Sequence, residues 1–145
     1  MRPDIFSNLR LPAMAAPMFL VSGPDLVVAA CKAGVVGTFP TPNARTADVL
    51  ESWLEDITTR LASDESAAPW AANLVVHRSN TRLADDLALV KKYKAPLIIT
   101  ALGSPKEIVQ EVHAYGGLVF ADVNSVAFAR KAAAAGVDGL VLGAA

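Results

Sequence analysis

The chain has 145 residues, 53% of them apolar and 19% charged, with 13 basic against 14 acidic side chains. That excludes a disordered chain, which needs low hydrophobicity and high net charge, and the near-neutral balance offers no field to steer a polyanion such as nucleic acid. The single cysteine, Cys31, excludes an internal disulfide. No run reaches the roughly 18 apolar residues of a membrane span, and Met1 to Asn8 holds no signal-peptide core. A soluble, cytoplasmic protein with neither membrane nor nucleic acid as partner is expected.

Six short apolar runs alternate with amphipathic stretches. The first run is Pro12 to Met18. Pro24 and Asp25 then open a helix that stops at Gly34, with proline in the first turn and glycine just past the end. The second run is Val35 to Phe39. Thr46 caps the next helix, whose apolar positions Val49, Trp53, Leu54, Ile57 and Leu61 fall at helical spacing. A polar, alanine-rich loop from Ala62 to Pro69 leads to the third run, Ala71 to Val76. Ser79 or Asn80 can cap a third helix carrying Leu83, Leu87 and Val90, and Asp85 and Asp86 on it are expected to face water. After the fourth run, Pro96 to Leu102, the segment Ser104-Pro105-Lys106-Glu107 has the form of a capping box with proline at N1. Its helix carries Ile108, Val109 and Val112 and ends at Gly116. The fifth run is Leu118 to Val123. Asn124 or Ser125 opens a last helix that ends at Gly136, before the sixth run, Gly139 to Ala144.

Each run is apolar without alternation, as strands read when both faces are buried in a parallel sheet. The order βαβαβαβαβαβ is a series of right-handed crossover units. Ala33-Gly34-Val35-Val36-Gly37 and Ala135-Gly136-Val137-Asp138-Gly139 echo each other, a faint repeat of the kind a barrel of quasi-equivalent units shows. An open doubly wound sheet could be complete at this size, but the first strand is not followed by the glycine fingerprint of a dinucleotide fold. A complete eight-unit barrel usually needs about 250 residues. The expectation is therefore an α/β chain forming the N-terminal portion, about six strands, of a TIM (β/α)8 barrel, with residues 1–145 as a single incomplete domain and an apolar edge over Leu140 to Ala145.

In such a barrel the chemistry sits at the C-terminal strand ends and the loops that follow. Those ends offer small apolar residues after the first strand and polar ones after the third and fifth, a wall suited to a flat aromatic cofactor. Asn73 is an amide inside an apolar strand; leaving it unpaired would cost on the order of 1–3 kcal/mol, so it either bonds neighbouring backbone or faces a ligand. Asp122, just before a helix, is either a ligand-facing acid or one that caps the helix or stabilises the turn. His77 stands at a strand end, with structural and functional roles both open. His113 reads as a mid-helix surface or interface residue, Cys31 as a packed helix residue, and Trp53 and Trp70 as packing against the barrel exterior. No His, Cys or carboxylate cluster has ligand spacing, so no metal is expected.

Taken in order, several segments resemble one family. Leu11-Pro12-Ala13-Met14-Ala15-Ala16-Pro17-Met18, Lys32-Ala33-Gly34-Val35-Val36-Gly37-Thr38, Asn73-Leu74-Val75-Val76-His77-Arg78-Ser79-Asn80, Gly116-Gly117-Leu118-Val119-Phe120-Ala121-Asp122-Val123 and Ala135-Gly136-Val137-Asp138-Gly139-Leu140 are similar to the nitronate monooxygenase, or 2-nitropropane dioxygenase-like, flavoproteins. The resemblance implies an FMN-binding barrel that oxidises alkyl nitronates with dioxygen; related members are flavin-dependent enoyl-thioester reductases. It implies that Ala16, Pro17 and Met18 pack by the isoalloxazine ring, that Asn73 hydrogen-bonds near its polar edge, and that Thr100 and Asp122 line the pocket. The family's catalytic histidine follows the sixth strand and falls beyond residue 145, so the resemblance assigns no catalytic residue here and implies that the isolated chain is inactive. A homo-oligomer, or a partner supplying the rest of the barrel, is the assembly expected, and a non-catalytic assembly module is the competing reading.

Overall fold

The computed structural model describes residues 4–143. Six parallel strands form one sheet in the order β1 to β6, so every strand pairs with its neighbours in sequence. The strands are β1 (Met14–Ala15), β2 (Val36–Pro40), β3 (Trp70–Val75), β4 (Leu97–Ala101), β5 (Leu118–Val123) and β6 (Gly139–Leu142). The helices between them are α1 (Pro24–Lys32), α2 (Ala47–Leu61), α3 (Leu83–Lys92), α4 (Lys106–His113) and α5 (Val126–Ala134). A sheet in which each strand lies beside the next, with a helix in every crossover, is the N-terminal half of a TIM barrel.

The first strand is shorter than the apolar run around it. Only Met14 and Ala15 pair with β2, against Val36 and Gly37, because Pro12 and Pro17 lack the N–H groups a ladder uses. The sixth run was expected to reach Ala144; β6 stops at Leu142, and Ala144 and Ala145 lie outside the described residues.

The pleat divides the strand residues into two sets. Phe39, Trp70, Ala72, Leu74, Ile98 and Val119 face the helix layer and join Val27, Leu50, Leu54, Ile57 and Val90 in the main core. Phe39 meets Trp53 edge-on at 5.9 Å and stacks on Trp70 at 6.4 Å, so both tryptophans pack outside the sheet as expected. On α2 the buried residues are Leu50, Leu54 and Ile57; Val49, read as part of that face, is exposed. The inner set, Val36, Ala71, Leu97, Ile99 and Leu118, is covered at the N-terminal ends of the strands by Ile5, Phe6 and Leu9. Phe6 lies against Phe120 with ring centroids 5.9 Å apart.

Three glycines show why those positions carry no side chain. A Cβ on Gly37 would stand 2.4 Å from the Val27 carbonyl, so glycine there lets α1 lie close on β2. Gly34 and Gly136, the turn glycines of the internal echo, have φ of +86° and +89°, and the preceding caps Ala33 and Ala135 share φ −77° and ψ −7°. The echo in sequence is one helix-ending turn used twice.

The predicted caps hold in part. Thr46 accepts a hydrogen bond from the Val49 N–H and Ser125 from the Phe128 N–H, both at 3.3 Å. Asn80 does not cap α3, which begins after Arg82. Its Oδ1 instead accepts from the Arg82 N–H and its amide donates to the Val75 carbonyl, pinning the loop to the end of β3. The Ser104 hydroxyl accepts from the Lys106 N–H at 3.4 Å, a turn bond rather than a capping box. Asp86 was expected to face water and is 1% exposed: Arg82, one turn earlier, pairs with it at 2.9 Å and also donates to the Ala44 carbonyl, tying α3 to the loop after β2.

Candidate functional site

All six strands end at one edge of the sheet, and the loops that follow form the mouth opposite the Ile5–Leu9 plug. Asn73 lies on the inner face of β3, level with Pro40 on β2 and Ile99 on β4. It is buried, and its Nδ2 donates to the Ile99 carbonyl at 3.2 Å. The backbone-bonding reading of this amide is thus realised. Its Oδ1 accepts no hydrogen bond among the described residues, so the acceptor half of the amide is available on the inner face.

Asp122 is on the same face of β5. Ile99 pairs with Phe120, which places Asp122 two residues nearer the mouth than the level of Asn73. Its side chain is exposed and caps nothing, since Ser125 performs that role for α5. Ala16, Pro17 and Met18 follow β1 at the same mouth, with Ala16 and Met18 exposed and Pro17 half-buried. The Thr38 hydroxyl donates to the Ala15 carbonyl and fixes the end of β1 on β2.

Thr100 does not join them. It neighbours Leu74 and Ala121, which with Ile98 belong to the set facing the helix layer. It is 2% exposed, and its hydroxyl donates to the Phe120 carbonyl at 3.4 Å. Strand alternation sends positions 99 and 100 to opposite faces. The fold therefore gathers Asn73, Asp122 and the Ala16–Met18 loop on one side and leaves Thr100 on the other.

A cleft of about 780 Å³ opens beside this mouth, lined among others by His77, Leu102, Ser104, Asp122, Phe128 and Lys131. Its floor, Ala121, Val123 and Ala132, is made of small buried side chains, and that leaves the room. Sequence reasoning singled out neither Phe128 nor Lys131, whose Nζ stands 5.8 Å from the Phe128 ring. Both lie on an alanine-rich helix where nothing in the pattern marks them. Leu102 has a left-handed backbone, φ +62°, and is exposed at the rim; a non-glycine residue held so is uncommon. His77 points its Nδ1 at the Ser79 hydroxyl at 2.7 Å and accepts from the Ser79 N–H.

The other histidine is far from the mouth. His113 is the last residue of α4 rather than mid-helix, and its Nε2 is 2.8 Å from Asp138 Oδ2, which also accepts from the Val119 N–H. This partly buried pair ties α4 to the turn before β6. Cys31 is buried, its thiol directed at the Pro69 carbonyl 3.5 Å away, and burial pushes its pKa up to about 11. Such a thiol is a packed residue, not a nucleophile. Among the described residues no group of three or more His, Cys, Asp or Glu is placed to hold a metal ion, and no helix is long and apolar enough to cross a membrane.

Among solved structures, the chain is similar to FabK from Thermotoga maritima, with a TM-score of 0.81 and 21% identity over 94% of this chain and 42% of that one. It is similar to a nitroalkane oxidase from Streptomyces ansochromogenes, with a TM-score of 0.81 and 20% identity over 95% of this chain and 47% of that one. The chain thus spans less than half the length of either. No protein-family model and no curated protein matches it.

Proposed function

We propose that this chain supplies the N-terminal half-barrel of an FMN-dependent oxidoreductase that oxidises alkyl nitronates, or nitroalkanes, with dioxygen. The observation that carries the proposal is Asn73: an amide in an apolar strand, anchored through Nδ2 to Ile99, with its oxygen free of protein partners among the described residues and open to a ligand on the inner face beside the mouth. The likeness of fold to a nitroalkane oxidase supports the same reading.

The residues suit a flavin ring. A flat heteroaromatic group needs an apolar wall for its faces and a few fixed polar atoms for its edge. Ala16, Pro17 and Met18 supply the wall, and Asn73 supplies an acceptor that is already oriented, so no reorganisation is needed on binding. Asp122 adds a carboxylate at the entrance. Thr100 has no place in this proposal because it faces the helices. Bound FMN would supply the electron transfer between substrate and dioxygen.

The chain's own contribution is binding, orientation and exclusion of water. The plug of Ile5, Phe6 and Leu9 closes the end of the half-barrel away from the mouth, so a ligand enters and leaves on one side. No residue of this chain is proposed as the base that takes the substrate α-proton. His113 is at the wrong end of the sheet, and His77 is engaged with Ser79.

The test is made on the protein at its full length. Oxidised-flavin bands in its visible spectrum, with oxygen uptake that depends on an added alkyl nitronate, are the expected result. Flavin with turnover of an enoyl thioester and none of the nitronate would move the activity to a reductase. A colourless protein, inert to both, would sink the proposal.

A further inference from the structure

The loop between β1 and α1 presents four consecutive large apolar side chains, Met18, Phe19, Leu20 and Val21, and all four are exposed, from 41% at Met18 to 66% at Val21. None of them takes part in the buried clusters, so the core gains nothing from ordering them. The loop is nevertheless tightly held. Ser22, 1% exposed, accepts from the Met18 N–H at 2.9 Å and donates to the Ala16 carbonyl at 3.3 Å. Asn43, in the single 3-10 turn after β2, does more. Its Nδ2 donates to the Met18 carbonyl at 3.0 Å and the Ser22 carbonyl at 2.8 Å, and its Oδ1 accepts from the Leu20 N–H at 2.9 Å. Both amide hydrogens and the amide oxygen of Asn43 are thus spent on one loop more than 20 residues away. The last of these bonds holds Leu20 in a left-handed conformation, φ +63°, which leucine rarely adopts unaided.

We propose that Asn43 is a positioning residue for the ligand site at the mouth. Through Ser22 and the backbone of residues 16–22 it keeps the loop as a preformed apolar wall before any ligand arrives. An exposed apolar loop that is rigid pays its ordering entropy on folding rather than on binding, and this raises affinity. The wall carries no charge, so it suits the apolar portion of a substrate or the face of a ring rather than a phosphate. This inference rests on the reading of the mouth as a flavin site, and it adds residue 43, which reaches that site only through the backbone of the loop, at the Met18 carbonyl.

Asn43→Asp tests it in the full-length protein. The substitution keeps size and acceptor, removes both donors and sets a carboxylate against two carbonyls; Ser22→Ala removes the second support independently. Backbone amide exchange at Met18 and Leu20 reads the loop directly and needs no ligand. Expected are faster exchange at both amides in each variant, with the urea midpoint of unfolding little changed. In the same variants KM for the nitronate, or the dissociation constant for FMN, should rise about tenfold while kcat falls less than about threefold, the split expected when binding rather than chemistry is lost. Unchanged exchange would overturn the latch. Loosened amides with unchanged KM and FMN affinity would overturn the positioning role. Wild-type protein without flavin would overturn the function proposed above, and the ligand part of this inference with it, and is told apart because it precedes any variant.

Discussion

On the flank built from β2, β3 and β4 nearly every strand residue is buried, whereas along β6 half-buried and exposed residues alternate and β5 exposes Asp122. The helices follow the same gradient. α2 buries Leu50, Leu54 and Ile57, while α5 buries only Ala132 and leaves Val126 and Phe128 exposed at 70% and 56%. Yet the strands of the two flanks are equally apolar in sequence. The difference teaches that an unbroken apolar run states what a strand can bury, and the surrounding elements decide what it does bury. Leu74 and Leu142 are the same residue in equivalent parallel strands, at 0% and 77% exposure.

Substitutions on the two flanks should therefore separate widely, and the largest loss belongs to the closed one. Leu54→Ala, from a fully buried site between α2 and the sheet, should cost about 2–5 kcal/mol in urea unfolding. A loss below 1 kcal/mol would mean that the closed flank is not packed as described. Next comes Gly37→Ala, whose new methyl would meet the Val27 carbonyl and the Cys31 sulfur. Overpacking of that kind typically costs about 1–3 kcal/mol, and here it should also displace α1. The fluorescence of Trp53 and Trp70, which pack on Phe39 next to this contact, would register the shift.

The sequence carried the fold well for a physical reason. Each βα unit repeats the same local signals, and nearest-neighbour parallel pairing leaves little to decide once six runs and five helices are found. What it could not show was which face each residue takes and what covers it. Thr100 and Asn73 both sit near the mouth, but only the register of β4 reveals that Thr100 turns to the helices. Asp86 looked like one of two solvent-facing acids until Arg82 was seen to cover it. His113 gained its role from Asp138, 25 residues later. Asn43 showed no pattern in sequence, because its three partners lie in a loop on another strand.

A smaller effect probes the closed flank without altering it much. Burial holds the Cys31 pKa at about 11, against an ordinary thiol value near 8.5 in an unfolded chain. The folded state then keeps its proton through a range in which the unfolded state releases one, so stability is intact below the ordinary value and falls as pH rises toward about 11. Urea midpoints measured from pH 8 to 11 should decline more steeply in the wild type than in Cys31→Ala. Parallel slopes would show that the thiol is not shielded. Consistent with the same burial, the folded protein should resist thiol reagents at pH 8 and react once unfolded.

The smallest effect belongs to the open flank, and there a small number is informative. Leu142→Ser replaces a side chain that is 77% exposed on a strand of alternating burial. Surface changes away from packed groups usually stay within about 0.5 kcal/mol, and that is the expectation for these 145 residues alone. The same substitution in the full-length protein compares the two settings directly. If a further strand and helix cover β6 there, Leu142, which pairs with Val123 on the helix-facing side, becomes a core residue like Leu74, and its loss should approach the cost of Leu54→Ala. A cost that stays small in both settings would mean that nothing packs on this edge, and the contrast between the flanks would then be a permanent property of the fold.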